Sequence, residues 1–368
     1  MRDLEQLIDT LMIQIESSRN QAKRNLPTPR IHCYLENLGW VQYMKYDMND
    51  FFEDSTLNCE IQIKQKLYQF ERFDDDSMLS NWISASTGMY FEYTLLGMQV
   101  KHQSDGVPLI QHDHSLTKKA DLSIMKRHDF YTSGDMPRIF KLYDDLQAIS
   151  RGRLGVGFPT WGRGPLDMAI QLRGYEQFID DTRERPLFVH DLMHYIVEER
   201  IRWWDAYCKH FNTQQKGAGI ADDWTYVPFI SPAIFEEFVF PYYVELEKYH
   251  GGIGGVHSCG SKVPFQKLLE TLKGFGGHEV NHWTDLEGAV ENASPNKYLG
   301  IAILNADVLL VTKEQMEAEL KRIKRVCEGR NYSVSATAIE KVHDDMEYDM
   351  RQVQIWLEIA KKVLRGCN

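Results

Sequence analysis

The hydrophobic positions at the start of the chain repeat with the spacing of an amphipathic helix. The apolar residues that share this helical face are Leu4, Leu7, Ile8, Leu11, Met12 and Ile15. The segment NLPTP at residues 25–29 ends the pattern, because proline does not continue a helix. Residues 1–29 are therefore predicted to form an N-terminal helical extension. It would cover one end of the domain that follows or, in a homodimer, a partner subunit.

From residue 30 onward, short apolar runs alternate with longer stretches of helical spacing. The runs include residues 154–159 (LGVGFP), 217–221 (GAGIA), 255–257 (GVH), 279–283 (EVNHW) and 298–304 (YLGIAIL). Strand followed by helix, repeated several times, is typical of a parallel sheet, and the number of repeats favours a closed barrel. No long linker rich in proline, glycine or serine interrupts the pattern. The sequence predicts one α/β domain over residues 30–368, a (β/α)8 TIM barrel.

Composition and charge narrow the class of protein. The chain has 368 residues, 43% of them hydrophobic, which is enough for one large barrel. Its formal net charge of -11, without a concentrated basic patch, argues against nucleic acid as a partner. No run approaches the roughly 18 apolar residues that a membrane span needs. Six cysteines without a CxxC pair, together with a charged N-terminus, favour the reducing cytoplasm.

Polar and aromatic residues directly follow several of the apolar runs. In a parallel barrel the carboxyl ends of the strands meet at one mouth, where substrates bind. The residues predicted to bind substrate there are Trp161, Arg163, Trp224, Tyr226, His282, Trp283 and Asn305. This mouth would be both acidic and aromatic.

Two adjacent carboxylates, Asp222 and Asp223, follow the run at residues 217–221. Because like charges repel, one of the two can hold its proton to a raised pH. Such a group can protonate a developing carbanion or a leaving oxygen. We predict that both residues are catalytic; the alternative is a helix cap and a solvated loop.

His257 and Cys259 occupy positions i and i+2 at the end of one run, so both side chains point the same way. An imidazole and a thiolate together suit zinc, and the alternative is a hydrogen-bonded histidine beside a small buried cysteine. Glu237, in the first turns of a later helix, could supply a carboxylate ligand or belong to a solvated helix face. Cys327 lies on an apolar helical stripe and is predicted to pack in the core.

Three segments resemble the uroporphyrinogen decarboxylase superfamily. Residues 164–186 (GPLDMAIQLRGYEQFIDDTRERP) resemble its GP…RG-E…D…P segment. Residues 222–241 (DDWTYVPFISPAIFEEFVFP) are similar to its paired acidic residues followed by SP-x-x-F-x-x-F-x-x-P. Residues 257–260 (HSCG) match its H-x-C-G strand end. Their order and spacing also match, and the resemblance covers roughly residues 75–365. It implies the (β/α)8 barrel.

The resemblance is closer to the cobalamin- or corrinoid-dependent methyltransferases than to true uroporphyrinogen decarboxylases. The latter carry an arginine-rich MRQAGRY segment, and residues 31–47 (IHCYLENLGWVQYMKYD) lack one. In the methyltransferase branch, zinc is held by the H-x-C pair and a later cysteine. Residues 332–339 (YSVSATAI), where that cysteine would fall, contain none, so a carboxylate such as Glu237 or Asp223 could replace it.

Three functions follow from this resemblance. The preferred hypothesis is a methyltransferase acting between a small methyl donor, such as an aromatic methyl ether, and a corrinoid. The corrinoid would be bound to a separate protein, because the chain has no D-x-H-x-x-G cobalamin signature. The alternatives are a metal-independent decarboxylase of a different substrate and a non-catalytic protein that binds a tetrapyrrole or corrinoid.

Overall fold

The computed structural model describes residues 2–86, 88 and 90–366, and all statements below concern these residues. The strands are β1 (Arg30–Leu35), β2 (Trp82–Ser84), β3 (Gln99–Lys101), β4 (Leu109–Gln111), β5 (Gly155–Gly157), β6 (Ala218–Ala221), β7 (Ile253–His257), β8 (Gly277–Val280), β9 (Tyr298–Leu304) and β10 (Tyr332–Ile339). The helices of the first half are α1 (Arg2–Glu16), α2 (Ser18–Ala22), α3 (Asn37–Met44), α4 (Met48–Glu53), α5 (Ser55–Tyr68), α6 (Phe91–Leu95), α7 (Ser115–Lys118), α8 (Met136–Ser150), α9 (Pro165–Arg173) and α10 (Tyr175–Glu184). Those of the second half are α11 (Pro186–Phe211), α12 (Pro232–Ile234), α13 (Phe240–His250), α14 (Gln266–Leu269), α15 (Leu286–Asn292), α16 (Ala306–Leu309), α17 (Lys313–Val326) and α18 (Met346–Arg365). Short 3₁₀ segments span Lys23–Asn25, Leu122–Ile124 and Val263–Phe265, and π-helical segments span Gln69–Phe73 and Phe235–Val239.

Eight of the described strands form the predicted (β/α)8 barrel, in the order β1, β2, β5, β6, β7, β8, β9, β10. Parallel pairing joins β8, β9, β10 and β1 in one sheet, β2 to β5, and β6 to β7. A parallel bridge between Arg163 and Ala221 joins the extension of β5 to β6. A backbone hydrogen bond of 2.9 Å from Gly276 to Gly254 joins β8 to β7.

The seam between β1 and β2 is closed by side chains. The amide of Asp76 donates to the carbonyl of Ile31 at 2.9 Å. In return, the amide of Ile31 donates to the Asp76 carboxylate at 2.7 Å, and the amide of Cys33 donates to the Asp75 carboxylate at 3.1 Å. Both carboxylates are buried, and they take the place of a neighbouring strand for these two amides.

The apolar core lies mainly between the barrel wall and the surrounding helices. Residues at alternate positions of the strands point outward into it, such as Ile31 and Cys33 of β1. The N-terminal helices precede the first barrel strand, which begins at Arg30. Leu4, Ile8 and Leu11 of α1 are buried in a cluster with residues of α5, α8 and β5. The extension therefore packs on the outside of the barrel.

A long insertion separates β2 from α8 on the side of the mouth. It contains α6, α7 and the antiparallel hairpin β3–β4, which breaks the regular alternation of strand and helix. Glu92 and Tyr93 of α6 are buried and reach the residues that follow β5. No helix in the described ranges is both long and apolar enough to cross a membrane.

Candidate metal centre in the barrel lumen

A cavity of about 650 Å³ lies in the barrel, along the strands β5 to β8. Small residues occupy the inward positions of β6 and β7, namely Gly219, Ala221 and Gly255, and Gly277 does so at the start of β8. In most barrels of this kind the interior is filled by layers of branched side chains. Here the lumen is an open pocket of the size that holds a small organic molecule.

At two of these glycines, the surrounding atoms leave room for a side chain. A β-carbon at Gly255 would meet no atom within 4 Å, and one at Gly219 would lie 3.9 Å from the nearest. Gly164 is different, because a β-carbon there would lie 2.3 Å from Oδ2 of Asp222. The glycine at 164 is needed for close packing, whereas those at 219 and 255 serve to keep the lumen empty.

Three potential metal ligands meet at the upper end of this cavity. One ligand atom from each of Asp223, His257 and Cys259 lies within 4.8 Å of the other two. Nε2 of His257 is 3.5 Å from Oδ1 of Asp223. His257 ends β7, and Cys259 follows two residues later, as the sequence predicts. Asp223 comes from the adjacent β6 loop, which is held to β7 by the bond from the Asp222 amide to the His257 carbonyl.

His257 is oriented by a second carboxylate. Its Nδ1 lies 2.5 Å from Oε2 of Glu279, which points into the lumen from β8. Hydrogen bonds to Cys259 and to Glu279 raise the pKa of His257 to about 10. A carboxylate on one ring nitrogen is the usual arrangement for a metal-binding histidine, because it fixes the ring with the other nitrogen toward the ion.

Asp223 is fixed from the opposite side by Arg163. The guanidinium NH1 lies 2.5 Å from Oδ2 of Asp223 and 3.1 Å from Oδ2 of Asp167. Asp167 is buried and also accepts a hydrogen bond from the hydroxyl of Tyr93. Arg163 was predicted to bind substrate, and in the structure its guanidinium is engaged by these two carboxylates.

Asp222 follows β6 at the same end of the barrel, and its fully buried side chain points to the helices α9 and α13. Its carboxylate accepts hydrogen bonds from the amides of Leu166 and Asp167 in the first turn of α9, and from the hydroxyl of Tyr243. Burial and the neighbouring Asp167 raise the pKa of Asp222 to about 7. These contacts give Asp222 a structural role in joining β6 to α9, and its predicted catalytic role stays a prediction.

The predicted aromatic residues lie at different depths. Trp161 is fully buried and reaches the cavity wall, and the carbonyl of Trp161 accepts a bond from Trp204. Trp224 stacks on Tyr175 with ring centroids 5.4 Å apart. The ring of Tyr226 packs on Gly260, where a β-carbon would lie 1.9 Å from it. The glycine of the H-x-C-G segment is thus required for this contact.

The other predicted residues lie outside the lumen cavity. Glu237 is exposed in the π-helical segment and is not part of the Asp223, His257 and Cys259 group. His282 borders a separate cavity, and Trp283 is 67% exposed beside it. Asn305 precedes α16. Cys327 is fully buried among apolar residues, which confirms the prediction of core packing.

Several charged residues of the site were not predicted from the sequence. These are Glu92, Asp167 and Glu279. Glu279 stands two residues after the inward-facing Gly277 on one strand, and this alternation was a usable signal. Glu92 is buried and accepts from the amides of Gly162 and Arg163, a contact that depends on the long insertion.

The donor set at the upper end of the lumen fits zinc. Imidazole nitrogen, thiolate sulfur and carboxylate oxygen are all zinc ligands in proteins, and three protein ligands leave a fourth position for substrate. His257, Cys259 and Asp223 would hold the ion, and Glu279 and Arg163 would fix two of these ligands.

Barrel and site together define the class of protein. The sequence model of the uroporphyrinogen decarboxylase (URO-D) family matches residues 41–337, and the chain belongs to this family. A methyltransferase from Methanosarcina mazei is similar in structure, with a TM-score of 0.64 over 95% of this chain and 98% of that chain. The two sequences are 13% identical, so the likeness shows the fold alone. No curated protein sequence matches the chain significantly.

Proposed function

We propose that the protein is a zinc-dependent methyltransferase that moves a methyl group between a small donor and the corrinoid of a separate protein. The observation that carries the proposal is the group of Asp223, His257 and Cys259 at the upper end of an open lumen. A bound donor would have its reacting atom beside three metal ligands and its remaining atoms in the cavity. Asp223 takes the place of the missing third cysteine.

The size of the lumen favours an aromatic methyl ether over a donor of two or three heavy atoms. A cavity of about 650 Å³ is much larger than methanol or a methylamine requires. Its walls are mainly apolar, formed by glycine and alanine with Trp161 behind them. His257 and Glu279 meet at one end. The other charged group of the wall, the buried guanidinium of Arg200, donates to the backbone carbonyls of Arg163 and Gly219. A flat apolar ring with one oxygen at that end matches this distribution.

Breaking the bond between the methyl carbon and the ether oxygen leaves negative charge on that oxygen. Zinc, when bound, would supply Lewis-acid stabilisation of this charge. Arg163 holds the Asp223 carboxylate by one oxygen, which leaves the other oxygen directed to the site. Glu279 holds the His257 ring in a single orientation. A donor that fills the lumen would displace water from its apolar wall, so charges at the site would act more strongly on the donor.

The charge distribution makes the decarboxylase alternative less favourable. A tetrapyrrole with many carboxylates needs several free arginines at the site. The guanidinium of Arg163 is already held by Asp167 and Asp223. Arg200 lines the cavity, but its guanidinium donates to backbone carbonyls, and Glu279 adds a negative charge to the lumen. An acidic substrate would be repelled by these groups.

The test compares zinc content and methyl transfer in His257→Ala and His282→Ala. Each variant removes one histidine that follows a barrel strand and contacts a carboxylate. Wild type and His282→Ala are expected to retain one zinc per chain after dialysis, and His257→Ala to lose it. Transfer from 2-methoxyphenol to reduced cobalamin, followed by absorbance, should fall at least about a hundredfold in His257→Ala. Wild-type protein without zinc, or His257→Ala with full zinc, would contradict the proposal.

A second test narrows the lumen without touching the ligands. Gly255→Ala and Gly255→Val add one and three carbons in open space, so both variants should fold and keep zinc. We expect KM for 2-methoxyphenol to rise stepwise along this series, by about tenfold or more in the valine variant. An unchanged KM in Gly255→Val would show that the donor binds elsewhere.

A further inference from the structure

A second cavity of about 350 Å³ lies on the outer side of the barrel wall. Its floor includes Val280 of β8, Ile301 of β9 and Ile323 of α17, all buried. These strand residues belong to the core between barrel and helices, so they point away from the lumen. Among the residues that the structure describes, none lines both this outer cavity and the lumen. It is a separate pocket with an apolar floor.

A histidine and a carboxylate stand at its polar rim. Nδ1 of His282, after β8, lies 2.7 Å from Oδ2 of Asp307, after β9. This oxygen is buried, and no donor among the described residues makes a hydrogen bond of good geometry with it. Apart from the nearby His282 ring, the Asp307 carboxylate therefore keeps capacity to accept a hydrogen bond, which a bound donor would supply.

The remaining charges of the rim are negative in sum. Arg322 donates to both oxygens of Glu319, at 2.9 and 2.8 Å, and to both oxygens of Glu287, at 2.8 and 2.6 Å. One guanidinium is thus shared by two carboxylates and has little capacity left for a ligand. Asp307, Glu319 and the neighbouring Glu287 are three carboxylates against the Arg322 guanidinium and the His282 ring, so the cavity disfavours an anion and favours a cation.

We propose that the outer cavity is a second binding site, for a small amphipathic amine. The apolar part of the ligand would lie on Val280, Ile301 and Ile323, and its ammonium group would donate to Asp307. A cavity of this size holds a ring with a short side chain and excludes larger molecules. The proposal does not depend on the methyl-transfer reaction.

The experiment uses benzylamine as the probe, with benzyl alcohol and benzoate as ligands of similar shape but different charge. Binding is measured by saturation-transfer NMR and calorimetry with the full chain. The key variant is Asp307→Asn. Its matched control is Asp285→Asn, which removes one charge from the same loop region at the N-cap of α15, where asparagine is equally suitable.

Benzylamine is expected to bind the wild type and Asp285→Asn alike, with benzoate and benzyl alcohol much weaker. Asp307→Asn should weaken benzylamine binding about tenfold, the effect of losing one charge-assisted hydrogen bond. Equal binding of the three probes, no binding of benzylamine, or unchanged affinity in Asp307→Asn would each overturn the proposal. Asp307→Asn replaces one carboxylate oxygen by an amino group, and circular dichroism would check that the variant is folded.

Discussion

The lumen and the outer cavity each contain a histidine at or just after the end of one strand and a carboxylate in or just after the next strand. In the lumen the pair is His257 with Glu279, and at the outer cavity it is His282 with Asp307. The neighbours differ. A thiol and a second carboxylate adjoin His257, whereas the outer pair has amide and hydroxyl groups and an apolar floor. If the two proposals hold, the same pair would serve a metal in one place and an organic ligand in the other.

On these proposals, the residues around each histidine would decide its chemistry more than the carboxylate that orients it. The two regions are also physically connected. Asn281 lines the outer cavity, and its amide donates to the carbonyls of Ser258 and Gly260 at 3.1 and 3.0 Å. These carbonyls flank Cys259, so one side chain supports both places.

The largest expected difference between the two regions is in the free energy of unfolding after replacement of Arg163 in the lumen or Arg322 at the outer cavity. In Arg163→Met, the buried Asp167 carboxylate loses its ion-pair partner, which should lower the free energy of unfolding by about 3–5 kcal/mol. In Arg322→Met, the carboxylates released are Glu287 and Glu319, about half exposed, and the expected loss is about 0–1 kcal/mol. Urea unfolding followed by tryptophan fluorescence measures both. Similar losses of unfolding free energy would show that the ion pair of Arg163 with Asp167 is no more important for stability than those of Arg322.

Of the two carboxylates that contact a histidine, Glu279 and Asp307, only Glu279 is expected to affect zinc binding. Glu279→Gln weakens the hold on the His257 ring and should reduce zinc affinity about 10- to 100-fold. Competition with a fluorescent chelator gives the dissociation constants. A matched control is Glu270→Gln, which alters the partner of His278, a residue of the same strand on its outer face. Zinc affinity should be unchanged in that control and in Asp307→Asn; a loss in all three would remove the distinction between the pairs.

Much of the fold follows from the sequence because its signals are local. α11 begins with a proline in its first turn, and the hydroxyl of Ser231, just before a proline, caps α12 by accepting a hydrogen bond from the amide of Ile234. Neither the hairpin β3–β4 nor the carboxylates of Asp75 and Asp76 at the β1 seam were predicted. Both features depend on contacts between segments far apart in the chain, which periodicity does not encode.

In the candidate site, too, the features that depend on local sequence could be predicted and those that depend on distant contacts could not. Strand alternation predicts the pairing of His257 with Cys259, although in the structure Cys259 lies in the bend that follows β7. Choosing Asp223 over Glu237 as the third potential ligand requires knowing that β6 lies beside β7 and that the π-helical segment faces solvent. The buried partner of Arg163, Asp167, is four residues away in sequence, but their pairing depends on the turn that begins α9.

The smallest predicted effect concerns a carboxyl group behind the lumen, and it is a dependence on pH. Burial raises the pKa of Glu92 to about 7, above its value of 4.5 in an unfolded chain. The folded state therefore holds a proton that the unfolded state has released, and stability falls as pH rises from 4.5 through 7. The loss amounts to about 1 kcal/mol between pH 5.5 and 6.5. Glu92→Gln keeps an oxygen for the amides of Gly162 and Arg163 and should remove this slope.

At the outer cavity, the corresponding variant is Glu287→Gln. Hydrogen bonds from Arg322 lower the pKa of Glu287, so this group is ionised in both folded and unfolded chains between pH 5.5 and 6.5. The slope of unfolding free energy with pH should therefore equal that of the wild type. Urea midpoints at the two pH values provide the measurement. If Glu92→Gln and Glu287→Gln behave alike, the Glu92 carboxyl is solvated in the folded protein, and the packing of the insertion against the residues after β5 is looser than these contacts imply.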